Sequence, residues 1–419
     1  MSSQYRNNHY VPVWYQKRFL PPEQQNKELF YLDLKPGTFI DPRGIIHTRD
    51  ALRRLGLKYC FAENDLYTTH FGSEESTEIE QHFFGAIDRN GHRAVGHYAN
   101  FSHPWDGTDA FQDMIMYMST QKLRTPKGLG WLSNEVISTD RHQVLREMKR
   151  LRQLYCAIWA ECVWLIADAS RSDTKLIISD HPMTVYNRRC GPRSSWCRGY
   201  NDPDIRLHGT HTLFPLSLDK ILILTNLSWM RNPYQSEIGL RPNPYPFRGA
   251  IFKINDIQTL RHLSEQEVRE INFIIKSRAL RYIGAAKEEW LYPERHVTKS
   301  DWFRYGHGYL LMPDPRSVTY SRQIIIGNRN GTASAFDEYG HRPWEEGYRG
   351  RDQGVGDDWN TFHRFQGEFA RLFGPYRRGR AFSAVSLDNE RDSYEFHQDH
   401  LSLEEEYHRK RKKNKKKKK

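Results

Sequence analysis

The chain has 419 residues, enough for roughly two or three domains or for one core with a large appendage. Its hydrophobic content of 38% is low, but 13% of its residues are aromatic, so a core can still form around Tyr, Trp and Phe. The sequence has no apolar run near the roughly 20 residues that span a bilayer, and it opens without a hydrophobic signal region. This argues against a helical membrane protein, and we expect a cytoplasmic protein without a membrane partner.

The net charge of +12 comes from one end of the chain. Ten of the 63 Lys and Arg residues lie in Arg409–Lys419, which leaves 53 basic residues against 51 acidic ones elsewhere. A run of like charges repels itself and has no apolar surface to bury, so residues 399–419 are predicted to form a disordered tail, polybasic from residue 409. The tail is a candidate for contacts with nucleic-acid phosphates, and a purely solubilising role is the alternative.

Periodicity predicts an α+β core domain over residues 8–298. Pro12 suits the first turn of a short helix that would bury Tyr15 and Phe19. Apolar positions three or four residues apart predict four longer helices. They are about Glu74–Arg89, which would stop at Asn90-Gly91; about Thr108–Leu123; about Asp140–Ala169; and Ser264 to about Gly284, opened by a capping box.

Strand patterns occur between these helices. Their apolar and β-branched runs are bounded by turn residues, as is typical of strands. We expect them to form one small mixed sheet packed against the four helices. The segments begin at Glu28, Tyr59, Lys175, His211 and Lys220.

The composition changes near residue 299, where Gly, Tyr, Trp, Arg and Asp become frequent. Residues 299–398 are therefore predicted to form an appended, partly ordered segment of irregular structure. Its one clearly periodic stretch, Trp359–Phe373, predicts a short amphipathic helix that ends at Gly374-Pro375.

Three polar side chains fall on apolar helix faces, namely Glu80, Gln121 and Asn272. A buried carboxylate or amide must be hydrogen bonded, because leaving it without a partner costs about 1–3 kcal/mol. One such residue is usually a satisfied core group. Three from separate helices, with Ser179 and Asp180 at a strand end and His9 near the N-terminus, favour convergence on a shared pocket. The alternative at the strand end is a Ser-Asp turn that only closes a buried strand.

Short motifs along this core resemble a known family. They are His9-Tyr10-Val11-Pro12 with Tyr15 and Phe19, Glu80 near the start of a helix, Gln121-Lys-Leu-Arg124-Thr-Pro126, Ser179-Asp180-His181-Pro182, and Asn272. In this order they resemble the bacterial and fungal domain-of-unknown-function family numbered four thousand two hundred thirty-eight. The resemblance covers roughly Asn8–Gly284 and not the C-terminal part. It supports a pocket shared by the motif residues and implies no particular reaction.

The residue types in this pocket suit phosphodiester chemistry. Carboxylates with a His and an Arg fit metal-assisted hydrolysis, in which the Arg holds the phosphate and a divalent metal is a candidate cofactor. We therefore predict a hydrolase that acts on phosphodiester bonds of nucleic acid or a nucleotide. The candidate catalytic residues are His9, Glu80 and Asp180, and the candidate substrate-binding residues are Gln121, Arg124, Ser179 and Asn272.

Other functions stay open at this point. The chain has no Walker A, G-x-S-x-G or H-E-x-x-H motif to name a reaction. The alternatives are a non-catalytic module that binds nucleic acid or protein, and a domain whose polar residues only satisfy one another. A second cluster of metal-ligand types has the spacing C-x6-C-x10-H-x2-H, from Cys190 to His211. This departs from the usual structural zinc spacings, and incidental loop residues are the favoured interpretation.

Overall fold

The computed structural model describes most of the chain, and its helices and strands are given for that part. The described residues are 7–64, 66–67, 69–71, 74–76, 84–101, 108–136, 140–197, 202–234, 238–241, 257–297, 302, 305, 309, 311–318, 323–337, 340–348, 355–375, 380–381, 397–402, 405, 408–410, 412–413 and 416. The α-helices are α1 (Val13–Gln16), α2 (Gly85–Ala99), α3 (Thr108–Arg124), α4 (Pro126–Val136), α5 (Arg141–Ala160), α6 (Leu227–Arg231), α7 (Glu265–Arg278) and α8 (Val355–Phe373).

The strands are mostly short and lie between these helices. They are β1 (Asn7–His9), β2 (Glu28–Asp33), β3 (Thr38–Ile40), β4 (Ile46–Thr48), β5 (Leu52–Gly56), β6 (Ala62–Asn64), β7 (Thr69–Phe71), β8 (Glu74–Ser76), β9 (Cys162–Asp168), β10 (Ile178–Ser179), β11 (Thr184–Asn187), β12 (Thr210–Pro215), β13 (Lys220–Asn226), β14 (Ile257–His262), β15 (Tyr282–Ala285), β16 (Gln323–Gly327), β17 (Ala333–Asp337) and β18 (Arg380–Ala381). This mixture of helices and strands confirms the predicted α+β class.

The strands form two larger sheets, so the prediction of one small sheet is wrong. A six-stranded sheet has the order β11-β12-β13-β9-β14-β18, and a four-stranded sheet has the order β10-β15-β2-β5. The predicted strand from Lys175 is split between them, with β10 in one sheet and β11 in the other. Pro182 lies between the two halves, and its missing N–H and fixed backbone suit a turn and not a continuous strand.

β9 lies in a stretch that the sequence predicts to be helical. The long helix predicted to Ala169 ends at Ala160, and Cys162–Asp168 pairs with β13 on one side and β14 on the other. Six of its seven residues are buried. A strand buried on both faces does not show the alternation that distinguishes a strand from a helix.

The helix predicted over about Glu74–Arg89 is also wrong in its bounds. Glu74–Ser76 forms β8, and α2 runs through Asn90-Gly91 to Ala99. A Cβ on Gly91 would lie 2.4 Å from the Tyr117 Cδ2 atom of α3, so this glycine allows close helix packing and does not end the helix. Residues 77–83 lie outside the described part.

The remaining helix predictions agree better with the structure. α1 buries Tyr15, and α3 and α8 lie where periodicity predicts them. Ser264 and Glu267 form the predicted capping box of α7. That helix ends at Arg278 and not near Gly284, because the following residues pair as β15 with β2 and β10.

Aromatic side chains join the helices to the six-stranded sheet. The ring of Trp164 on β9 lies 5.2 Å from that of Tyr98 on α2 and 5.4 Å from that of Phe111 on α3. Trp159 on α5 donates its indole N–H to the Thr212 hydroxyl of β12, at 3.1 Å. The helices α3, α4 and α5 pack on one another beside this sheet.

Parts of the predicted appendage pack on the core. Phe362, Phe365 and Phe369 of α8 join a buried cluster with Trp229 and Met230 of α6, and β18 pairs with β14. The described residues between 397 and 416 have helical backbone, and disorder of the tail stays a prediction. Within the described part, every helix is too short or too polar to cross a membrane.

Candidate functional site

The site begins at the junction between α3 and α4. α3 ends at Arg124 and α4 begins with Pro126, because the residue before a proline is disfavoured in helical conformation and proline suits a first helical position. A Cβ on Gly128 would lie 2.4 Å from the Lys122 carbonyl oxygen, so glycine allows α4 to fold back closely on α3. This turn places Lys122 at the end of one helix and Lys127 at the start of the next.

The two lysines share one carboxylate. Lys122 Nζ lies 2.5 Å from Asp202 Oδ2, and Lys127 Nζ lies 2.8 Å from Asp202 Oδ1. Both ammonium groups also donate to backbone carbonyls, Lys122 to Met183 at 3.1 Å and Lys127 to Arg278 at 2.6 Å. Arg278 is the last residue of α7, and the end of a helix favours a cation through its dipole.

His181 completes the group. Its Nε2 lies 2.8 Å from Lys122 Nζ and 3.2 Å from Asp202 Oδ2, and its Nδ1 lies 2.7 Å from Thr125 Oγ1. An ammonium only donates, so beside a charged Lys122 the Nε2 accepts and Nδ1 carries the proton. A proton on Nε2 would instead bond Asp202 and require a neutral Lys122. The geometry therefore allows one proton to move within this group.

Burial and charge shift the pKa values of all four groups. Burial lowers the pKa of Lys122 to about 8 despite the attraction of Asp202, and it also lowers the pKa of Lys127. Burial acts to raise the pKa of Asp202, but the two lysines hold it well below its usual range. Burial and the charge of Lys122 lower the pKa of His181 to about 3, so its imidazole is neutral at pH 7.

These residues line a cavity of about 290 Å³, which we call the Asp202 cavity. Its size is at the lower end of the roughly 300–1,000 Å³ typical of ligand pockets. Besides the charged group, the lining holds a large apolar and aromatic part, contributed by Leu123, Trp131, Leu151, Leu154, Tyr155, Val185, Trp196 and Ile205. Such a cavity can accept a ligand with one anionic and one aromatic end.

Asp180, a predicted catalytic residue, has a different environment. Its carboxylate accepts from the backbone N–H groups of Leu280 at 2.9 Å, Arg281 at 2.6 Å and Tyr282 at 2.8 Å. Burial raises its pKa, although these three hydrogen bonds act in the opposite direction. Ser179 accepts from the backbone N–H of His181 at 3.2 Å. These contacts fasten the turn after α7 to β10.

Gln121 and Arg124 are brought together. Gln121 Oε1 accepts from Arg124 Nε at 2.8 Å, and Gln121 Nε2 donates to the Tyr10 carbonyl at 2.7 Å. Arg124 also pairs with Asp88 of α2 at 2.8 Å and is 1% exposed. Two of the motifs that carry the family resemblance therefore contact each other in the core.

The other predicted site residues lie apart from this pair. Asn272 binds the backbone of the strand before β10, donating to the Lys175 carbonyl at 2.8 Å and accepting from the Ile177 N–H at 3.2 Å. His9 Nε2 lies 3.0 Å from the Lys58 carbonyl oxygen, and burial lowers its pKa. Glu80 lies outside the described residues.

The predicted convergence on one pocket is not met at the Asp202 cavity. Its lining contains none of the described candidates, which are His9, Gln121, Arg124, Ser179, Asp180 and Asn272. Whether any of them takes part in a reaction stays a prediction. In their described contacts they mainly satisfy backbone groups or one another.

Sequence reasoning missed Lys122, Lys127, His181 and Asp202. Lysine is rarely buried, so the residue type alone does not mark either lysine as part of an interior site. One signal was present, because Lys122 lies four and eight residues after Met118 and Met114, two fully buried residues of α3. For Asp202, beside Pro203 in a turn-rich stretch, we find no comparable signal.

The donor set of the cavity suits an anion more than a divalent metal. The buried group of Lys122, Lys127, His181 and Asp202 offers two amines, one imidazole and one carboxylate, whereas Mg²⁺ and Ca²⁺ prefer several oxygen ligands. The lining holds three further carboxylates, and two of them are paired with arginines, Glu147 with Arg150 and Asp204 with Arg206. Across the described residues, no three His, Cys, Asp or Glu side chains are placed to share a metal ion. Two residues of the C-x6-C-x10-H-x2-H pattern have other partners. Cys197 Sγ accepts a hydrogen bond from Arg278 at 3.2 Å, and His211 Nδ1 lies 3.0 Å from Thr225 Oγ1.

Comparisons with models of protein families, with curated proteins and with solved structures found no match for this chain. The family resemblance described above therefore rests on its motifs alone and stays a prediction.

Proposed function

We propose that the protein is a hydrolase that cleaves a phosphodiester bond of a nucleotide bound in the Asp202 cavity. The observation that supports this most is the pair of buried lysines, Lys122 and Lys127, which share one carboxylate on the lining of a partly aromatic cavity. Fixed cations in a water-poor site stabilise the charge that develops on a phosphoryl group in the transition state.

The rest of the lining supports a nucleotide as the ligand. Trp131, Tyr155 and Trp196 offer faces on which a base can stack, a contact worth about 1–3 kcal/mol per base. A cavity of about 290 Å³ has the size of one nucleotide and is far too small for a duplex.

His181 and Lys122 are suited to move the protons of hydrolysis. In the proposed reaction a water oxygen attacks phosphorus while His181 Nε2 takes the proton of that water. The ester oxygen leaves with a proton from the Lys122 ammonium, and the proton on His181 then returns to Lys122 across their 2.8 Å contact. A bound phosphate, like Asp202 in the free protein, places a negative charge beside His181, and this charge favours the imidazolium that forms when His181 takes the proton.

Ligand binding without hydrolysis is the second candidate function. Two observations favour it. The pKa of His181 is about 3 in the free protein, and Lys122 already has three acceptors, Met183, His181 and Asp202, within 3.1 Å. On this alternative the cavity holds a nucleotide and no bond is broken.

The test uses His181→Gln with cyclic and linear dinucleotides, 3′,5′-cyclic mononucleotides and a chromogenic phosphodiester, assayed with Mg²⁺ and with EDTA. Glutamine can still hydrogen bond but cannot accept a proton at neutral pH, so we expect cleavage to fall by about a hundredfold or more with a small change in nucleotide affinity. His211→Gln is the matched control, because burial lowers the pKa of His211 to about 3 as well and the residue lies outside the cavity lining.

Three outcomes decide between the candidates. The hydrolase is supported if wild type and His211→Gln cleave a substrate and His181→Gln cleaves it much more slowly. Nucleotide binding without cleavage of any substrate supports the binding module. Equal cleavage by all three proteins would contradict the role of His181.

A further inference from the structure

The carboxylate of Asp202 occupies the place where the proposed function puts a phosphate. We infer that Asp202 is a displaceable counter-ion, and that a monoanionic phosphodiester replaces it between Lys122 and Lys127. This inference rests on the proposed binding of a nucleotide in the Asp202 cavity.

The shape and charge of the two groups are alike. Asp202 presents one oxygen to each lysine, with Oδ2 2.5 Å from Lys122 Nζ and Oδ1 2.8 Å from Lys127 Nζ. A phosphodiester also presents two unesterified oxygens that share one negative charge. The exchange would therefore keep both the hydrogen bonds and the net charge of the site.

The lysines are held in place independently of Asp202. Lys122 keeps its hydrogen bond to the Met183 carbonyl and Lys127 keeps its bond to the Arg278 carbonyl when the carboxylate leaves. The phosphate site is thus already arranged in the free protein, and preorganisation of this kind lowers the cost of binding.

Asp202 is also the member of the group that can leave most easily. Its side chain is 15% exposed, against 7% for Lys122 and 2% for Lys127. In the described part of the chain, its carboxylate contacts only side chains, those of the two lysines and His181. A rotation of the side chain away from the two lysines therefore breaks no hydrogen bond to the backbone of the described residues.

A resident counter-ion would make the site selective. A free phosphate must compete with Asp202 and gains only the lysine contacts. A nucleotide makes the same exchange and in addition stacks its base on the aromatic lining. The cavity should then favour nucleotides over inorganic phosphate, even though the lysines alone would attract both.

The test compares Asp202→Asn with Asp168→Asn by titration calorimetry, using inorganic phosphate and 3′,5′-cyclic AMP as probes. Asparagine keeps the size of the side chain and removes the competing charge, so affinity for both probes should rise by about tenfold or more. Asp168 is also paired with a lysine, Lys220 at 2.5 Å, and is 13% exposed, but it lies outside the cavity lining, so its replacement should change affinity by less than about twofold.

Thermal melts show whether the variant is folded. Asp202→Asn leaves two buried lysines without a charged partner, so its Tm should be low without phosphate and should rise with phosphate more than the wild-type Tm does. Weaker binding of both probes by a folded Asp202→Asn, or no binding by either protein, would overturn the inference.

Cleavage measured on the same proteins separates this inference from the proposed function. Stronger binding by Asp202→Asn together with no cleavage by wild type supports the exchange and overturns the hydrolase. Cleavage by wild type together with weaker binding by Asp202→Asn overturns the exchange alone, and Asp202 would then be a residue that positions the ligand.

Discussion

Asp180 and Asp202 are both carboxylates in the interior, but their partners differ in kind. Three backbone N–H groups of residues 280–282 donate to Asp180. Two lysine ammonium groups beside a cavity hold Asp202. Burial raises the pKa of Asp180, whereas the lysines hold the pKa of Asp202 well below its usual range.

This difference indicates different uses of the same chemical group. The backbone N–H groups cannot exchange Asp180 for a ligand unless the turn that carries them unfolds. Asp180 is therefore suited to stabilising structure. Side-chain cations on a cavity wall can be transferred from a protein carboxylate to a ligand. The identity of the donors therefore says more about the role of a buried carboxylate than its burial does.

The largest expected effect comes from Asp180→Asn. The asparagine NH₂ group would face backbone N–H donors, so hydrogen bonds to a charged acceptor would be lost. Each such bond contributes about 1.5–3 kcal/mol to stability. We expect the free energy of unfolding, measured by urea denaturation, to fall by about 3 kcal/mol or more.

Asp33→Asn is the control for this prediction. Asp33 pairs with Arg281 at 2.8 Å. Because the Arg281 side chain is 42% exposed, the pair should contribute about 1 kcal/mol or less to the free energy of unfolding. If Asp180→Asn kept wild-type stability and lost phosphodiester cleavage, the structural role that we assign to Asp180 in contrast to Asp202 would be wrong. The catalytic role that the sequence predicts for Asp180 would then gain support.

Local signals in the sequence predicted the elements that local chemistry determines. The capping box of α7 and the periodicity of α3 depend only on neighbouring residues, and both predictions are confirmed. β9 depends on strands far along the chain that bury it on both sides. The continuation of α2 past Gly91 depends on Tyr117 of another helix. Neither of these two features can be predicted from local sequence.

The candidate site illustrates the same limit. Polar residues on apolar helix faces were correctly predicted to be buried, as Gln121 and Asn272 are. Their partners, however, are Arg124 and the backbone near β10, and only the folded structure identifies them. The lysines of the Asp202 cavity meet because Gly128 lets two helices approach closely, a contact that no motif records.

The next largest effect is expected from Gly128→Ala. The new Cβ would lie 2.4 Å from the Lys122 carbonyl and 2.6 Å from the Leu123 carbonyl, and backbone atoms cannot move aside as a flexible side chain can. We expect a loss of about 2 kcal/mol in stability and nucleotide affinity weaker by about tenfold, because the separated lysines can no longer share one anion. Calorimetry and urea denaturation measure the two effects.

Gly96→Ala on α2 is the matched helical control. There a Cβ would meet only the Arg18 guanidinium, at 4.0 Å, so the protein should gain about 0.5–1 kcal/mol from the better helix propensity of alanine. Equal effects of the two substitutions would show that the close contact at Gly128 does not arrange the lysines.

The smallest expected effect is the pH dependence of stability due to Lys122. Burial lowers its pKa from 10.5 to about 8 in the folded protein. Between these pH values the unfolded chain binds more protons than the folded one, so the free energy of unfolding should rise with pH, by up to about 2 kcal/mol from pH 7 to 9.5. Asp202 stays ionised throughout this range and adds no slope. Anion affinity should change in the opposite direction and fall above pH 8, because a neutral amine no longer attracts phosphate.

Lys122→Met isolates this contribution, since Lys127 also titrates with a lowered pKa and remains in the variant. Wild type should gain more stability than Lys122→Met as the pH rises, and it should lose more anion affinity above pH 8 than the variant does. Parallel stability curves for the two proteins would mean that Lys122 titrates as an ordinary lysine. Its ammonium would then be no better a proton donor than a surface lysine, and the contrast between the two carboxylates would rest on geometry alone.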